Sequence, residues 1–171
     1  MLQILSQLPI KTWSWAALFG SAALLLLSAL YFQYSMDLAP CIMCIYQRTA
    51  VLGILLSALL VLVKNHVATR ALAFVGWGVS ALWGLMIAIE HVDIQTASNP
   101  FFVTCEIVPN FPVPLHEWLP GFFGATGDCG DIDWQFVGMS MPQWMIVIFA
   151  VYSALFALTL ITHLLGRLIA R

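Results

Sequence analysis

Charged side chains are what this 171-residue sequence has least of. Six Lys or Arg and eight Asp or Glu make up 8% of the chain, whereas a soluble domain has about 25%. The few basic residues form no patch, so we predict no binding to nucleic acid. Apolar residues reach 62%. One water-soluble core of this size cannot bury that share, so we expect much of the apolar surface to face lipid.

Four apolar segments are long enough to cross a bilayer, which takes roughly 20 residues per helix. Backbone polar groups in lipid must be satisfied within the segment, which favours helices. We therefore predict an all-α integral membrane protein, a single domain over residues 1–171 built as a four-transmembrane-helix bundle. The spans are placed at residues 13–34, 42–63, 71–89 and 144–165.

The connections between these spans differ in charge. The first loop, residues 33–41, is short. The long connection at residues 90–143 contains no Lys or Arg. If the spans alternate, five basic residues share the opposite side: Lys11, Lys64, Arg70, Arg167 and Arg171. By the positive-inside rule that side is the cytoplasm. We predict a multi-pass protein with cytoplasmic N and C termini and both of these loops outside.

One stretch of the long loop, residues 115–123, is apolar but too short to span. It reads Leu-His-Glu-Trp-Leu-Pro-Gly-Phe-Phe. Two interpretations stay open. The segment lies along the bilayer surface as an interfacial anchor that keeps the neighbouring cysteines near the membrane, or it packs as an ordinary loop.

All four cysteines fall on the outer side: Cys41, Cys44, Cys105 and Cys129. Disulfides persist in an oxidising compartment, and an even count suggests two pairs. Cys41 and Cys44 form a Pro-Cys-Ile-Met-Cys unit at the start of a predicted helix. Free N–H groups and the helix dipole there favour a thiolate. The pattern thus indicates redox chemistry, with two structural disulfides as the alternative.

Zinc is a second alternative for the cysteines, recruiting Cys105, Cys129 or His91. Structural zinc sites usually show two tightly spaced ligand pairs. Cys105 and Cys129 are far apart in sequence, so we predict no metal site.

Arg48 follows Cys44 by one helical turn on the same face, about 6 Å along the axis. A charge inside a membrane helix is a functional candidate by default. Either Arg48 extends to the headgroups, or it stabilises a Cys44 thiolate and binds an oxygen of a membrane-dissolved ligand. His91, at the outer end of the third span, is either a solvated surface group or a hydrogen-bonding and proton-handling residue.

Several segments together resemble the DsbB family of bacterial disulfide oxidases over nearly the whole chain. They are Pro40-Cys-Ile-Met-Cys-Ile-Tyr-Gln-Arg48, Glu90-His91, the cysteines at 105 and 129, and Met141-Pro-Gln-Trp144. The resemblance implies a quinone-dependent thiol–disulfide oxidoreductase of the bacterial inner membrane with periplasmic cysteine loops. It would re-oxidise the periplasmic oxidase DsbA and reduce ubiquinone, with menaquinone as the alternative quinone.

The resemblance also implies a role for each cysteine. Reduced DsbA would attack Cys105 and form a mixed disulfide. Cys129 would then leave and attack Cys41, and Cys44 would be freed as a thiolate that passes electrons to the quinone. The quinone-contacting residues would be Cys44, Arg48 and His91.

Local charge distinguishes the two cysteine pairs. Acidic neighbours disfavour thiolates at the loop pair: Glu106, Asp128 and Asp131. Cys44 faces Arg48 instead, and stabilising the reduced thiolates makes a pair more oxidising. We therefore predict the higher reduction potential for Cys41–Cys44. One departure from the family is Gln47, where relatives carry Glu, which leaves Arg48 less paired.

Two further functional alternatives stay open beside the leading hypothesis. One is a family member dedicated to a specialised DsbA-like partner, and the other is a metal-binding or structural membrane protein. Four helices suffice for a bundle formed by one chain, so we expect a monomer.

Overall fold

A computed structural model describes residues 10–97, 111 and 113–169, with side chains as far as residue 166. Within these ranges the helices are α1 (Thr12–Ser35), α2 (Ile42–Val63), α3 (Val67–Thr96), α4 (Leu115–Trp118), α5 (Pro120–Phe123) and α6 (Met141–Ile169). Strands β1 (Gln135–Phe136) and β2 (Met139–Ser140) pair antiparallel. Of the described helices, four are long and apolar enough to cross a membrane, namely α1, α2, α3 and α6. The predicted four-span fold class is confirmed.

The third span is longer than predicted. α3 covers Val67–Thr96, whereas the sequence placed the span at residues 71–89 and a loop from residue 90. At its start, His66 Nδ1 accepts a hydrogen bond from the Ala68 N–H. At its end the helix continues past Glu90 to Thr96, and His91 at the start of this extension is buried. The fourth span was also placed too short, at residues 144–165, since α6 covers Met141–Ile169.

α2 lies in the middle of the bundle and packs against α1 and α3, while α6 packs on α3. Half of the most apolar stretch of α2 is buried, compared with 17% for α6. Ile54 and Val61 of α2 are fully enclosed in the core. α1 and α6 meet where the Tyr152 hydroxyl donates to Ser21 Oγ at 2.9 Å. Among the four spans, the helix that begins at the CxxC unit is therefore the most buried.

The predicted interfacial segment folds as α4 and α5. Its two ends differ, since Trp118 is 64% exposed and Phe123 is 4% exposed. Phe122 packs against the bundle core. The exposed end is compatible with an interfacial anchor, and the buried end packs as an ordinary loop does. Contact of this segment with lipid stays a prediction.

The hairpin of β1 and β2 was not predicted in a chain expected to be all helical. Val137 and Gly138 form its two-residue turn with φ values of 53° and 75°. Positive φ at both central residues is the geometry that matches the twist of a tight hairpin. The hairpin leads directly into α6, and the Trp144 indole N–H donates to the Phe136 carbonyl at 3.1 Å.

Packing between α3 and α6 depends on Gly84, where an added Cβ would overlap the Phe149 ring. We expect Gly84→Ala to lower the free energy of unfolding by about 1–3 kcal/mol, as overpacked cores do. Gly20→Ala on α1 is the matched control, because nothing lies near that position. The measurement is the midpoint of thermal unfolding in detergent micelles. Equal midpoints for the two variants would contradict this packing.

Candidate redox site

The CxxC unit forms the first turn of α2. Pro40 has no backbone N–H and fits immediately before a helix. Cys41 is the N-cap, and its Sγ accepts a hydrogen bond from the Cys44 N–H at 3.3 Å. Both cysteines are free thiols, and the Cys41 thiol donates to Cys44 Sγ at 2.9 Å. The pair is therefore in its reduced form with the two sulfur atoms in contact.

The two thiols are not equivalent. Hydrogen bonding to Cys44, followed by burial, raises the pKa of the Cys41 thiol well above its ordinary range. Cys41 thus keeps its proton and shares it with the Cys44 sulfur.

His91 lies beside this pair on α3 and is only 2% exposed. Its Nε2 is 3.6 Å from Cys41 Sγ, and its Nδ1 is 3.2 Å from Gln47 Nε2. The ring also hydrogen-bonds the backbone of Cys129. The solvated surface position considered from the sequence is therefore wrong, because Cys41 and Gln47 lie against the ring.

Arg48 points inward as well, with 6% of its surface exposed. Its Nη1 donates to Gln33 Oε1 and to the Phe122 carbonyl, both at 2.8 Å. The guanidinium carbon lies 5.2 Å from the centre of the Phe122 ring. Extension to the headgroups is thus excluded for Arg48. Arg48 follows Cys44 by one turn of α2, and both side chains line the same cavity.

Cys129 is brought next to the CxxC unit by the long loop. It is fully buried, takes part in a disulfide, and belongs to one apolar cluster with Cys41 and Ile42. The Pro40 carbonyl accepts hydrogen bonds from the loop. Cys105 lies outside the described residues. The structure therefore joins three of the four predicted cysteines in one place.

A cavity of about 140 Å³ connects these groups. Its polar wall includes Cys44, Arg48 and His91. Its apolar wall comes from the membrane helices, including Leu25, Leu26, Ala29, Val51 and Met145. Asp128, Asp131 and Asp133 line the end nearest the loop. A thiol pair, a buried cation and an imidazole thus meet an apolar space between membrane helices.

The same thiols and imidazole are also a candidate metal cluster. The ligand atoms of Cys41, Cys44 and His91 lie within 4.8 Å of one another. Sulfur and imidazole nitrogen are the donors that zinc prefers. The sequence-based expectation of no metal site stays a prediction.

Comparison with known proteins identifies the family. The family model "Disulfide bond formation protein DsbB" matches residues 11–159. This chain therefore belongs to the DsbB family. A relative named disulfide bond formation protein B from Pseudoalteromonas atlantica is 58% identical over 156 residues, covering 90% of this chain and 91% of the relative. Relatives of the same name from Pseudoalteromonas translucida and Psychromonas ingrahamii are each 52% identical and cover 95% and 96% of this chain, and 96% and 90% of their own lengths.

Membership in the DsbB family makes the chain a membrane oxidoreductase of disulfide bond formation. The roles of individual residues stay predictions. Among the described residues, the predicted site residues Cys41, Cys44, Arg48, His91 and Cys129 all lie around the cavity or in the cluster beside it.

Sequence reasoning missed Gln33 as a site residue. Gln33 accepts from Arg48 and donates through Nε2 to the Gly121 carbonyl at 3.2 Å. The signal available in the sequence was a lone amide at the outer end of an otherwise apolar span. Nothing in the sequence alone indicated that this amide faces Arg48 rather than solvent.

The raised pKa of Cys41 predicts a pH-dependent stability of the dithiol form. Above pH 9.0, the ordinary pKa of the thiol, the unfolded chain loses a proton that the folded chain retains. The free energy of unfolding then falls with rising pH by about 1.4 kcal/mol per unit. Thermal unfolding midpoints across alkaline pH should show this slope, and Cys41→Ser should lack it. Identical slopes for the parent and Cys41→Ser would show that Cys41 does not retain its proton.

Proposed function

We propose that this chain re-oxidises a periplasmic DsbA-like thiol oxidase and passes the electron pair to ubiquinone beside Cys44. One observation supports this best. The reduced Cys41–Cys44 pair, Arg48 and His91 surround a single cavity whose other wall is made by apolar side chains of membrane helices. That combination suits an electron acceptor dissolved in the bilayer.

The residues of the cavity fit a quinone. Arg48 Nε is buried and has no hydrogen-bond partner among the described residues. An unpaired buried donor costs about 1–3 kcal/mol, and a quinone oxygen would satisfy it. Leu25 and Val51 offer apolar contact for a ring. A bound quinone would supply a two-electron, two-proton acceptor at this position.

The path of electrons follows from thiol–disulfide exchange. A thiolate of the partner attacks Cys105 of a Cys105–Cys129 disulfide, and Cys129 leaves with the electron pair. Cys129 then attacks Cys41 of a Cys41–Cys44 disulfide, and Cys44 leaves as the thiolate. The second partner thiol then attacks the partner–Cys105 disulfide, which closes the partner's own disulfide and frees Cys105. Cys105 attacks Cys129 of the Cys41–Cys129 disulfide, which restores the Cys105–Cys129 disulfide and frees Cys41.

His91 is suited to handle the Cys41 proton. Closing the Cys41–Cys44 disulfide releases that proton, and His91 Nε2 lies 3.6 Å from the sulfur. Gln47 faces the other ring nitrogen at 3.2 Å. Since an amide can present either its NH₂ or its oxygen, turning Gln47 over lets the neutral ring exchange tautomers. His91 Nε2 can then either donate to Cys41 or accept from it.

The distribution of charge supports an inner-membrane location with periplasmic cysteines. Lys11 precedes α1, Lys64 follows α2, and Arg70 lies in the first turn of α3. These positions share the end of the bundle opposite to the CxxC unit. Positive charge marks the cytoplasmic side of membrane proteins, which leaves the cysteines in the oxidising periplasm.

Two alternatives concern the partner and a metal. A partner more specialised than DsbA would dock on the same loop and follow the same electron path. Metal binding is a second candidate because Cys41, Cys44 and His91 form a three-ligand cluster. Elemental analysis of the purified chain decides this candidate, since stoichiometric zinc without quinone reduction would favour it.

The proposed function predicts that Cys44→Ser abolishes turnover, because no thiolate would remain beside the cavity. The measurement is the loss of ubiquinone absorbance when the purified chain is given reduced DsbA. Thr49→Ala on the same helix is the control, since its hydroxyl bonds the Ile45 carbonyl of its own helix, and it should keep parental activity. Full activity of Cys44→Ser would refute the proposed electron path.

Arg48→His should mainly weaken the interaction with quinone. A hydrogen bond to a charged group contributes about 1.5–3 kcal/mol, so we expect the KM for ubiquinone to rise about 10- to 100-fold with a smaller change in kcat. Gln33→Leu, which removes the amide that holds Arg48 Nη1, should shift KM in the same direction. Arg70→His is the control, because Arg70 lies in the first turn of α3, at the end of the bundle opposite to the CxxC unit, and this variant should keep the parental KM. An unchanged KM in Arg48→His would separate Arg48 from the quinone.

A further inference from the structure

The loop segment that contains Cys129 is held against the start of α2 by its backbone. The Pro40 carbonyl accepts the N–H of Thr126 at 2.9 Å and the N–H of Gly127 at 3.1 Å. Pro40 directly precedes Cys41, and Gly127 is two residues before Cys129. The two hydrogen bonds therefore join the residue before Cys41 to a segment that ends two residues before Cys129, a cysteine of the other pair.

This contact requires a residue without a side chain at position 127. A Cβ on Gly127 would overlap the Ala39 carbonyl oxygen and lie 3.0 Å from the carbonyl carbon. These are backbone atoms next to a proline, so they cannot turn aside as the end of a flexible side chain can. Any other residue must push the segment away from Pro40.

Displacement of the segment would move Cys129 relative to Cys41. Both residues are buried in one cluster with Ile42, and Ala125 packs against the same cluster. The position of the Cys129 sulfur thus follows from how closely the segment approaches α2.

We propose that Gly127 is a positioning residue for exchange between the two cysteine pairs. By permitting the backbone contact with Pro40, it holds Cys129 next to Cys41. The inference rests on the proposed function, in which this exchange is one step. Cys129 attacks Cys41 Sγ, the Cys41–Cys129 bond forms as the Cys41–Cys44 bond breaks, and the electron pair leaves on Cys44. The step is an internal exchange and needs no other oxidant.

The direct test measures how strongly the full-length chain favours the Cys41–Cys129 disulfide. In a chain with Cys44→Ser and Cys105→Ser, these two cysteines are equilibrated with reduced and oxidised glutathione. Misplacing reacting groups by about 1 Å can cost on the order of 100-fold. We therefore expect Gly127→Ala to lower the effective concentration of one thiol toward the other by about 10- to 100-fold.

Gly130→Ala is the matched control on the other side of Cys129. Its Cβ would meet a carboxylate oxygen of the Asp128 side chain at 3.3 Å, which can move. It should keep nearly the parental equilibrium. A parental value for Gly127→Ala, or an equal loss in both variants, would overturn the proposal. If Gly127→Ala does not fold, Thr126→Pro replaces it in the test, because this substitution removes one of the two N–H donors to the Pro40 carbonyl. A parental equilibrium in Thr126→Pro would also refute the proposal.

A second readout separates this inference from the proposed function. With all four cysteines present, Gly127→Ala should slow oxidation of reduced DsbA. Oxidation of the reduced Cys41–Cys44 pair by ubiquinone, followed in a single turnover, should keep its parental rate. If ubiquinone oxidises neither chain, the proposed function fails, while the glutathione equilibrium still tests Gly127. Equal slowing of both reactions would show a general disturbance and contradict a positioning role.

Discussion

The buried guanidinium of Arg48 is the constraint on which the arrangement of the site depends. A cation inside a membrane protein is costly unless it is hydrogen-bonded or paired. Here Gln33 at the end of α1 and the Phe122 carbonyl of α5 both accept from its Nη1. Gln33 in turn donates to Gly121. Satisfying one charge therefore joins α1, α2 and α5 at one end of the cavity, and Arg48 Nε stays buried without a hydrogen-bond partner among the described residues.

The start of α2 adds a second constraint, because the same short segment serves both cysteine pairs. The Cys41 sulfur caps the helix by accepting the Cys44 N–H, one of the N–H groups that a helix leaves without an internal partner. The preceding carbonyl, that of Pro40, binds the loop that contains Cys129. Both cysteines line the cavity, and Cys41 also packs in one cluster with Cys129 of the loop. One helical turn therefore contacts both the loop and the cavity.

Features set by the local sequence pattern could be predicted, whereas features set by contacts between distant parts of the chain could not. Hydropathy located the four spans, and the CxxC unit with Arg48 one turn later located the site, because both are properties of a single helix. Gln33 and Gly127 escaped prediction because their partners lie far along the chain. The end of α3 was misplaced for the same reason. Glu90 and His91 look like the polar end of a span, yet His91 is enclosed by α2 and by the loop at Cys129.

The same geometry that makes Cys41, Cys44 and His91 a candidate metal cluster also explains why a redox role suits it better. Two thiols and an imidazole within 4.8 Å would attract a soft divalent cation if nothing else were near. Arg48, however, places a fixed positive charge on the wall of the same cavity, and like charges in a low-dielectric interior repel strongly. A thiolate gains from that charge while a metal cation loses. The arginine thus favours the proposed thiolate chemistry of Cys44 over metal binding, whereas Asp128, Asp131 and Asp133 of the same cavity act in the opposite direction.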